Sequence, residues 1–137
     1  MPILHIHSET DPRTLYEGGE GPPFPFTTTK IPHPSVHSVL QQWADFNNCQ
    51  FKQNPVKVKE FSGVTPQGHT HHATLLNFGP GYNGSCIFHW KLHGPGHVWP
   101  NKQPTRRSRM SEKICGIPTN IIDANEEIWN FFKQYCQ

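Results

Sequence analysis

PILHIHSETDP, residues 2–12, is the stretch that decides the fold of this chain. It opens with a short apolar run and ends in a turn, which is typical of a buried parallel strand, here predicted over residues 2–7. A second run of this kind covers residues 86–93 and leads into the turn GPGHVWP. Asp11 follows the first run, and His97 follows the second. We therefore predict two strands that end at the same edge of a sheet, each with a polar side chain in the turn behind it.

Helical patterns lie between these runs and after them. Residues 35–47 place apolar side chains at helical spacing behind a candidate N-cap, Ser35. Residues 124–135 repeat the pattern behind Asp123, and Glu126 stands where a capping box requires it. Because strands joined through a helix need a crossover, this order predicts an α/β fold with a parallel or mixed sheet. The remaining predictions are short strands at residues 56–59 and 73–78 and irregular loops at 12–34 and 100–120.

The composition is that of one domain with a small net charge. A chain of 137 residues is long enough to bury a hydrophobic core, and its formal charge at pH 7 is +2. The one tight basic cluster, Arg106, Arg107 and Arg109, is interpreted as a solvated loop rather than a surface for nucleic acid or another anion. No apolar run reaches the length of a membrane span. We expect neither a nucleic-acid partner nor a membrane span.

Asp11 and His97 are candidates for the acid and the base of a catalytic triad. A serine esterase needs a hydroxyl nucleophile, a histidine that takes its proton and a carboxylate that orients the histidine. Each residue also has a structural interpretation, since Asp11 before Pro12 suits a turn and His97 suits a packed histidine. The Gly-x-Ser-x-Gly motif that carries the serine of α/β-hydrolases does not occur in the sequence. Three nearby glutamates are alternative carboxylates, namely Glu9, Glu17 and Glu20.

The histidines, 10 in number, raise the alternative of a metal site. Zinc requires three or four ligands in tetrahedral geometry, and the sequence contains no His-Glu-x-x-His pattern. We interpret the histidines as solvated or packed, and expect neither a metal nor another cofactor. Those that share a strand face or a turn are His5 with His7, His69 with His71 and His72, and His89 with His93.

The 4 cysteines are widely spaced, and none belongs to a Cys-x-x-Cys pair. An even number permits two disulfides in three connectivities, whereas free buried thiols are the alternative. Disulfides would favour a secreted or periplasmic setting. The cysteines are Cys49, Cys86, Cys115 and Cys136.

The chain resembles the C-terminal half of the poly(3-hydroxybutyrate) depolymerase and feruloyl esterase-like group of α/β-hydrolases. Four stretches carry the resemblance, and together they span nearly all of the chain. The turn Gly-His-x-Trp-Pro within GPGHVWP is fairly specific, and the closing helix supports it independently. The other stretches are LHIH running to Asp11-Pro12, residues 39–49 with Trp43-Ala44 and Asn48-Cys49, and the helix IDANEEIWNFF at residues 122–132.

The resemblance implies a partial α/β-hydrolase fold in which residues 1–137 form the C-terminal segment of one domain. It implies that Asp11 is the triad acid and His97 the general base, acting through an acyl-serine intermediate on a polyester or a plant cell-wall ester. It also implies secretion and disulfides, with Cys49 and Cys86 as one pair. The nucleophile elbow and oxyanion-hole loop of the family precede the acid strand, so we expect both upstream of this chain.

Without a serine nucleophile, the chain alone is expected to be catalytically inactive and to expose the apolar edge of its first strand. The alternative is a non-catalytic, truncated or degenerate hydrolase module that binds a polymer or a partner through exposed aromatic side chains. The loop over residues 20–34, rich in Pro and Phe, either lines an acyl or aromatic pocket or packs over the site.

Overall fold

A mixed four-stranded sheet lies at the centre of the structure, a computed structural model in which residues 1–103 and 108–135 are described. Neighbouring strands across this sheet are, in order, the first, sixth, fifth and fourth strands of the chain. The second and third strands are short and form a separate two-stranded ribbon. The elements are β1 (Ile3–Ser8), β2 (Gly19–Glu20), β3 (Pro32–His33), α1 (Val36–Phe46), β4 (Val56–Val64), β5 (Thr70–Pro80), β6 (Cys86–His93), α2 (Arg109–Cys115) and α3 (Ala124–Phe132), with a 3-10 turn at Tyr82–Gly84.

One parallel pair of strands positions the site. β1 runs parallel to β6, from Ile3 beside Ile87 to Ser8 beside Leu92. β5 runs antiparallel to both of its neighbours, β6 and β4. The fold is therefore mixed α/β, as the strand–helix order indicated. Because β1 and β6 are parallel, their carboxyl ends lie at the same edge of the sheet.

Helices cover the two faces of the sheet. α1 places Val36, Leu40 and Ala44 against Phe78 and Ile87 on one face. Side chains alternate along β6, so Phe88, Trp90 and Leu92 point to the opposite face of the sheet. α3 and the segment before it pack on that face. Full burial of a leucine or isoleucine stabilises the fold by about 1.5–3 kcal/mol relative to exposure. The buried residues of this second face are Ala73, Leu75, Trp90, Leu92 and Ile122.

Side-chain caps begin the two longer helices. Ser35 accepts a hydrogen bond from the Ser38 N–H at 3.1 Å, and Asp123 accepts from the Glu126 N–H at 3.1 Å. Both predicted N-caps are confirmed. The second half of the expected capping box is not formed, because the Glu126 carboxylate binds the Lys102 ammonium instead. An exposed ammonium close by competes for that carboxylate with the backbone N–H of the cap.

The structure corrects several boundaries. The predicted loop over residues 100–120 contains α2, which is capped by Ser108 and is too short for its period to stand out in the sequence. The strands predicted at residues 56–59 and 73–78 extend through β4 and β5, because cross-strand pairing continues past the alternating positions. The last helix ends at Phe132 rather than at residue 135. Within the described ranges, each helix is too short or too polar to cross a bilayer.

The two edges of the sheet differ in character. β4 is exposed along nearly its whole length and carries Lys57, Lys59 and Glu60 beside a bulge, devices that keep an edge strand from pairing with another chain. The alternation of Val56 and Val58 with Lys57 and Lys59 is typical of such an exposed edge strand. β1 forms the other edge, as expected, and its residues Ile3–Ser8 include no Lys, Arg, Asp or Glu.

Candidate active site

The carboxyl ends of the parallel pair bring Asp11 and His97 together. Asp11 lies in the turn after β1, and His97 lies in the turn after β6. The His97 Nδ1 atom is 2.8 Å from the Asp11 Oδ2 atom, although 86 positions separate the two residues in the chain. The predicted proximity of this pair is confirmed. The contact is a hydrogen bond of the kind that fixes the tautomer and orientation of an imidazole.

Asp11 is held by its own turn. Its side chain is 7% exposed, and its second oxygen, Oδ1, accepts the backbone N–H groups of Arg13 at 2.7 Å and Thr14 at 2.9 Å. The aspartate is thus a turn residue, as its position before Pro12 indicated, and also the partner of His97. The two interpretations of Asp11 are compatible because each uses a different carboxylate oxygen.

His97 stands on a constrained loop. Its backbone N–H donates to the Cys115 carbonyl at 2.5 Å, so the end of α2 supports the turn. The preceding Gly96 lies against the backbone of Cys115 and Gly116, where a Cβ atom would overlap. The His97 side chain is 54% exposed, so the imidazole is open to solvent while its backbone is fixed. Among the described residues, its Nε2 atom has no hydrogen-bond partner.

Two hydroxyls missed in the sequence fix the base of the same loop. The Ser8 and Thr10 hydroxyls both donate to the Pro95 carbonyl, at 2.5 and 2.8 Å, and the Gly94 N–H donates to the Thr10 hydroxyl at 2.9 Å. These bonds tie the end of β1 to the start of the histidine loop. The sequence signal that could have identified these two hydroxyls is their position, since polar residues follow directly after a strand that is predicted to be buried.

The structure distinguishes Asp11 from the other carboxylates near it. Glu9 binds the Lys91 ammonium at 2.8 Å and lies 3.5 Å from His93. Glu20 lies 3.9 Å from Lys30, and no hydrogen bond or ion pair of Glu17 is found among the described residues. Asp11 is the acid that contacts His97.

His97 lies where two clefts meet. The larger cleft has a volume of about 420 Å³, and its walls are mainly apolar, with Leu92, Val98 and Trp99 among them. The smaller cleft, of about 190 Å³, is lined on its other side by Arg13, with Phe24 and Ile31 as apolar walls. The arrangement leaves the exposed side of the imidazole accessible from both directions. Part of the loop over residues 20–34 therefore lines the site.

The serine that lines the larger cleft is Ser8, and no other serine of the described chain does so. Ser8 is 4% exposed and its hydroxyl is committed to the Pro95 carbonyl. A hydroxyl in this state is a structural group rather than a nucleophile open to substrate.

A row of histidines crosses the α1 face of β1 and β6. The Tyr16 hydroxyl lies 3.0 Å from His89 Nε2, and His89 Nδ1 lies 3.3 Å from His5 Nδ1. Burial lowers the pKa of His89 to about 3 and that of His5 to about 4, and burial raises the pKa of Tyr16 to about 12. All three groups are uncharged at neutral pH. Next to them, His7 Nε2 donates to the Thr14 carbonyl at 2.9 Å.

The histidines do not assemble a metal site within the described part of the chain, where no group of three or more suitable ligands occurs. His71 is buried with 1% exposure, and neither ring nitrogen has a hydrogen-bond partner there. His72 accepts or donates a bond with the Ser62 hydroxyl at 2.8 Å. Most of the histidines thus have packing or hydrogen-bonding roles.

The cysteine prediction is not borne out in the described residues. Cys49 and Cys86 are free thiols, so the pair that the resemblance implied is not formed, and Cys115 is free as well. Cys49 is packed in the α1 core, where burial raises the pKa of its thiol. Cys136 lies outside the described residues, as do Arg106 and Arg107 of the basic cluster.

Comparison with known proteins adds no relative: no protein-family model matches the chain, and no curated protein matches it.

Proposed function

We propose that this chain supplies the acid and the general base of a Ser-His-Asp triad in a carboxylic ester hydrolase with an α/β-hydrolase fold. The observation that supports the proposal most strongly is the 2.8 Å contact between His97 Nδ1 and Asp11 Oδ2. Asp11 is oriented by two backbone N–H groups, and the opposite side of His97 is open to a cleft. Such a triad requires a buried acid, an imidazole that the acid orients, and a cleft beside the imidazole for the substrate.

In the proposed reaction, Asp11 keeps the proton of the neutral imidazole on Nδ1, which leaves Nε2 free to act as the base. His97 Nε2 takes the proton of a serine hydroxyl as the serine oxygen attacks the ester carbonyl. The resulting imidazolium is stabilised by the Asp11 carboxylate and returns its proton to the leaving alcohol. Water then attacks the acyl-serine by the same route, and the products are a carboxylic acid and an alcohol.

We propose that the serine is not among these 137 residues, because the sequence contains no Gly-x-Ser-x-Gly motif. Ser8 is unsuited because its hydroxyl is buried and bonded to Pro95. We therefore propose that the purified chain alone does not hydrolyse p-nitrophenyl acetate or butyrate. Clear turnover that His97→Ala abolishes would contradict this part of the proposal and would place the nucleophile within the chain.

A non-catalytic module that binds a polymer or partner is the second candidate. Exposed aromatic side chains favour it: Trp99 is 58% exposed and lines the larger cleft, and Phe26 is fully exposed on the loop over residues 20–34. In this case the Asp11–His97 contact would be a structural remnant.

Labelling with a fluorophosphonate separates the two candidates, since this reagent modifies serines that a neighbouring histidine activates. The reagent is applied to the protein as isolated from its natural source, and the modified residue is located by mass spectrometry. The proposal predicts one labelled serine and a labelling rate that falls by about 10³-fold or more in His97→Ala. The matched control is His37→Ala, an exposed histidine on α1, which should label at the normal rate. Absence of labelling would favour the non-catalytic module.

A further inference from the structure

The two clefts that meet at His97 differ in charge as well as in size. Among the described residues, Asp11 and His7 are the ionisable groups that line the larger cleft besides His97, and none of its described lining residues is Lys or Arg. The smaller cleft contains a guanidinium group, that of Arg13, and no carboxylate from the part of the chain that the structure describes. A substrate that occupies both clefts across His97 therefore meets an apolar wall on one side and a cation on the other.

Within the described residues, Arg13 is held by contacts that leave its charge unpaired. Its Nη1 atom donates to the Pro23 carbonyl at 3.1 Å, and the guanidinium carbon lies 5.9 Å from the centre of the Phe24 ring. Within the described part of the chain, no carboxylate oxygen lies within 4.0 Å of it. A guanidinium has five N–H donors, so most of its donors remain available to a ligand.

Among the described residues, no acid near Arg13 in sequence pairs with it, and all of them except Glu17 are already engaged elsewhere. Asp11 uses one oxygen for backbone N–H groups and the other for His97. Glu20, at the far side of the loop, is oriented toward Lys30. The backbone N–H of Arg13 belongs to the Asp11 turn, which couples the position of the guanidinium to that of the triad acid.

We propose that the smaller cleft binds a carboxylate of the substrate through Arg13, so that the substrate is an ester with a free carboxylate on one side and an apolar group on the other. The inference rests on the proposed function and adds the substrate class. Guanidinium and carboxylate match as planar, bidentate partners. Phe24 and Ile31 give this cleft flat apolar walls, and its volume of about 190 Å³ suits a small acid group with a short body.

Binding of benzoate to the purified chain tests the proposal, because benzoate combines a carboxylate with a flat apolar body. Backbone amide shifts are followed by two-dimensional ¹H–¹⁵N NMR during titration with benzoate and, separately, with the uncharged analogue benzamide. We expect benzoate to shift the amides of Arg13, Phe24 and His97 in a saturable way. Benzamide should bind at least about tenfold more weakly, a difference that corresponds to about 1.4 kcal/mol.

Two variants complete the test. Arg13→Met keeps an apolar stem against Phe24 but removes the charge, and should weaken benzoate binding at least tenfold while leaving benzamide unaffected. Arg109→Met removes an arginine from α2, outside both clefts, and should bind benzoate normally. For each variant, an amide spectrum that is unchanged away from the substituted residue shows that the protein is folded.

Equal binding of benzoate and benzamide would overturn the inference, and so would normal benzoate binding by Arg13→Met. Neither result would bear on the triad, because the titration requires no nucleophile and fluorophosphonate labelling requires no carboxylate. Conversely, failure of the labelling experiment together with Arg13-dependent benzoate binding would leave a carboxylate-binding cleft in a non-catalytic module.

Discussion

Gly94 lies directly against the buried imidazole of His71, so closely that a Cβ atom at position 94 would overlap the ring. Gly94 also has a φ of +105°, a conformation that residues with a side chain rarely adopt. It opens the turn that carries His97, and His71 is 1% exposed beneath it. The histidine loop is therefore supported by a close contact between a glycine and a packed ring rather than by hydrogen bonds of His71.

Gly94→Ala should destabilise the protein by more than the backbone strain alone. The strain of a positive φ costs about 1–2 kcal/mol, and overpacking against His71 adds about 1–3 kcal/mol. Gly68→Ala is the matched control, since Gly68 has a φ of +85° but nothing within 4 Å of its added Cβ. Urea unfolding of both variants measures the difference. Equal losses of unfolding free energy would show that the contact with His71 does not constrain the loop.

The second prediction concerns the bond between Trp90 and Glu127. The indole Nε1 of Trp90, a residue that is 1% exposed, donates to the Glu127 carboxylate at 3.1 Å and so joins α3 to the sheet. Glu127→Ala leaves this N–H without a partner and should lower the unfolding free energy by about 1–3 kcal/mol. Glu127→Gln keeps an acceptor and should recover part of the loss.

Glu126→Ala provides the comparison for Glu127, because both glutamates occupy the first turn of α3 and interact alike with the helix dipole. Glu126 pairs with Lys102 at the surface, where an ion pair contributes about 0–1 kcal/mol. Thermal or urea unfolding of the three variants is the measurement. A larger loss in Glu126→Ala than in Glu127→Ala would contradict the role given to the Trp90 bond.

Stability should fall in acid because of the buried histidine row. The folded pKa of His89 is about 3 and that of His5 about 4, both below the value of about 6.5 in an unfolded chain. The unfolded state therefore binds more protons between these values, and the unfolding free energy rises with pH from about 4 to about 6.5. Each histidine contributes a slope of at most about 1.4 kcal/mol per pH unit.

His89→Gln isolates this effect, since glutamine keeps an acceptor for the Tyr16 hydroxyl but does not titrate in this range. Its unfolding free energy is measured in urea at intervals from pH 4 to pH 7. The slope of this free energy against pH should be smaller than that of the parent protein by about 1 kcal/mol per pH unit. The unfolding free energy of His37→Gln, a change at an exposed position of α1, should depend on pH as steeply as that of the parent protein. Parallel curves for His89→Gln would mean that folding does not lower the pKa of His89.

The Nδ1–H tautomer of His97 is a fourth prediction, and it applies to the purified chain. The Asp11 carboxylate accepts from Nδ1 at 2.8 Å, so ¹⁵N NMR at a pH where His97 is neutral should report a proton on Nδ1. Asp11→Asn removes the charged acceptor and should shift the population toward Nε2–H. A proton on Nε2 in the parent protein would contradict the orientation described for the pair.

The sequence predicted the pair at the site better than it predicted the surroundings. Asp11 and His97 follow apolar runs that form a parallel pair, and strand ends at one edge of a sheet are close whatever lies between them. α2 could not be predicted, because a helix of seven residues has too few turns for its period to be read. The roles of Ser8, His71 and Arg13 depend on contacts between distant segments, which local patterns do not encode.

A double-mutant cycle on ester hydrolysis tests most directly whether Asp11 and His97 form one catalytic unit. The rate constant kcat/KM for p-nitrophenyl butyrate is measured for the protein from its natural source and for Asp11→Asn, His97→Ala and the double variant. We predict that each single substitution lowers kcat/KM by about 10³-fold or more, and that the double variant is no slower than His97→Ala. Losses that multiply, or a His97→Ala variant within tenfold of the parent, would contradict the triad.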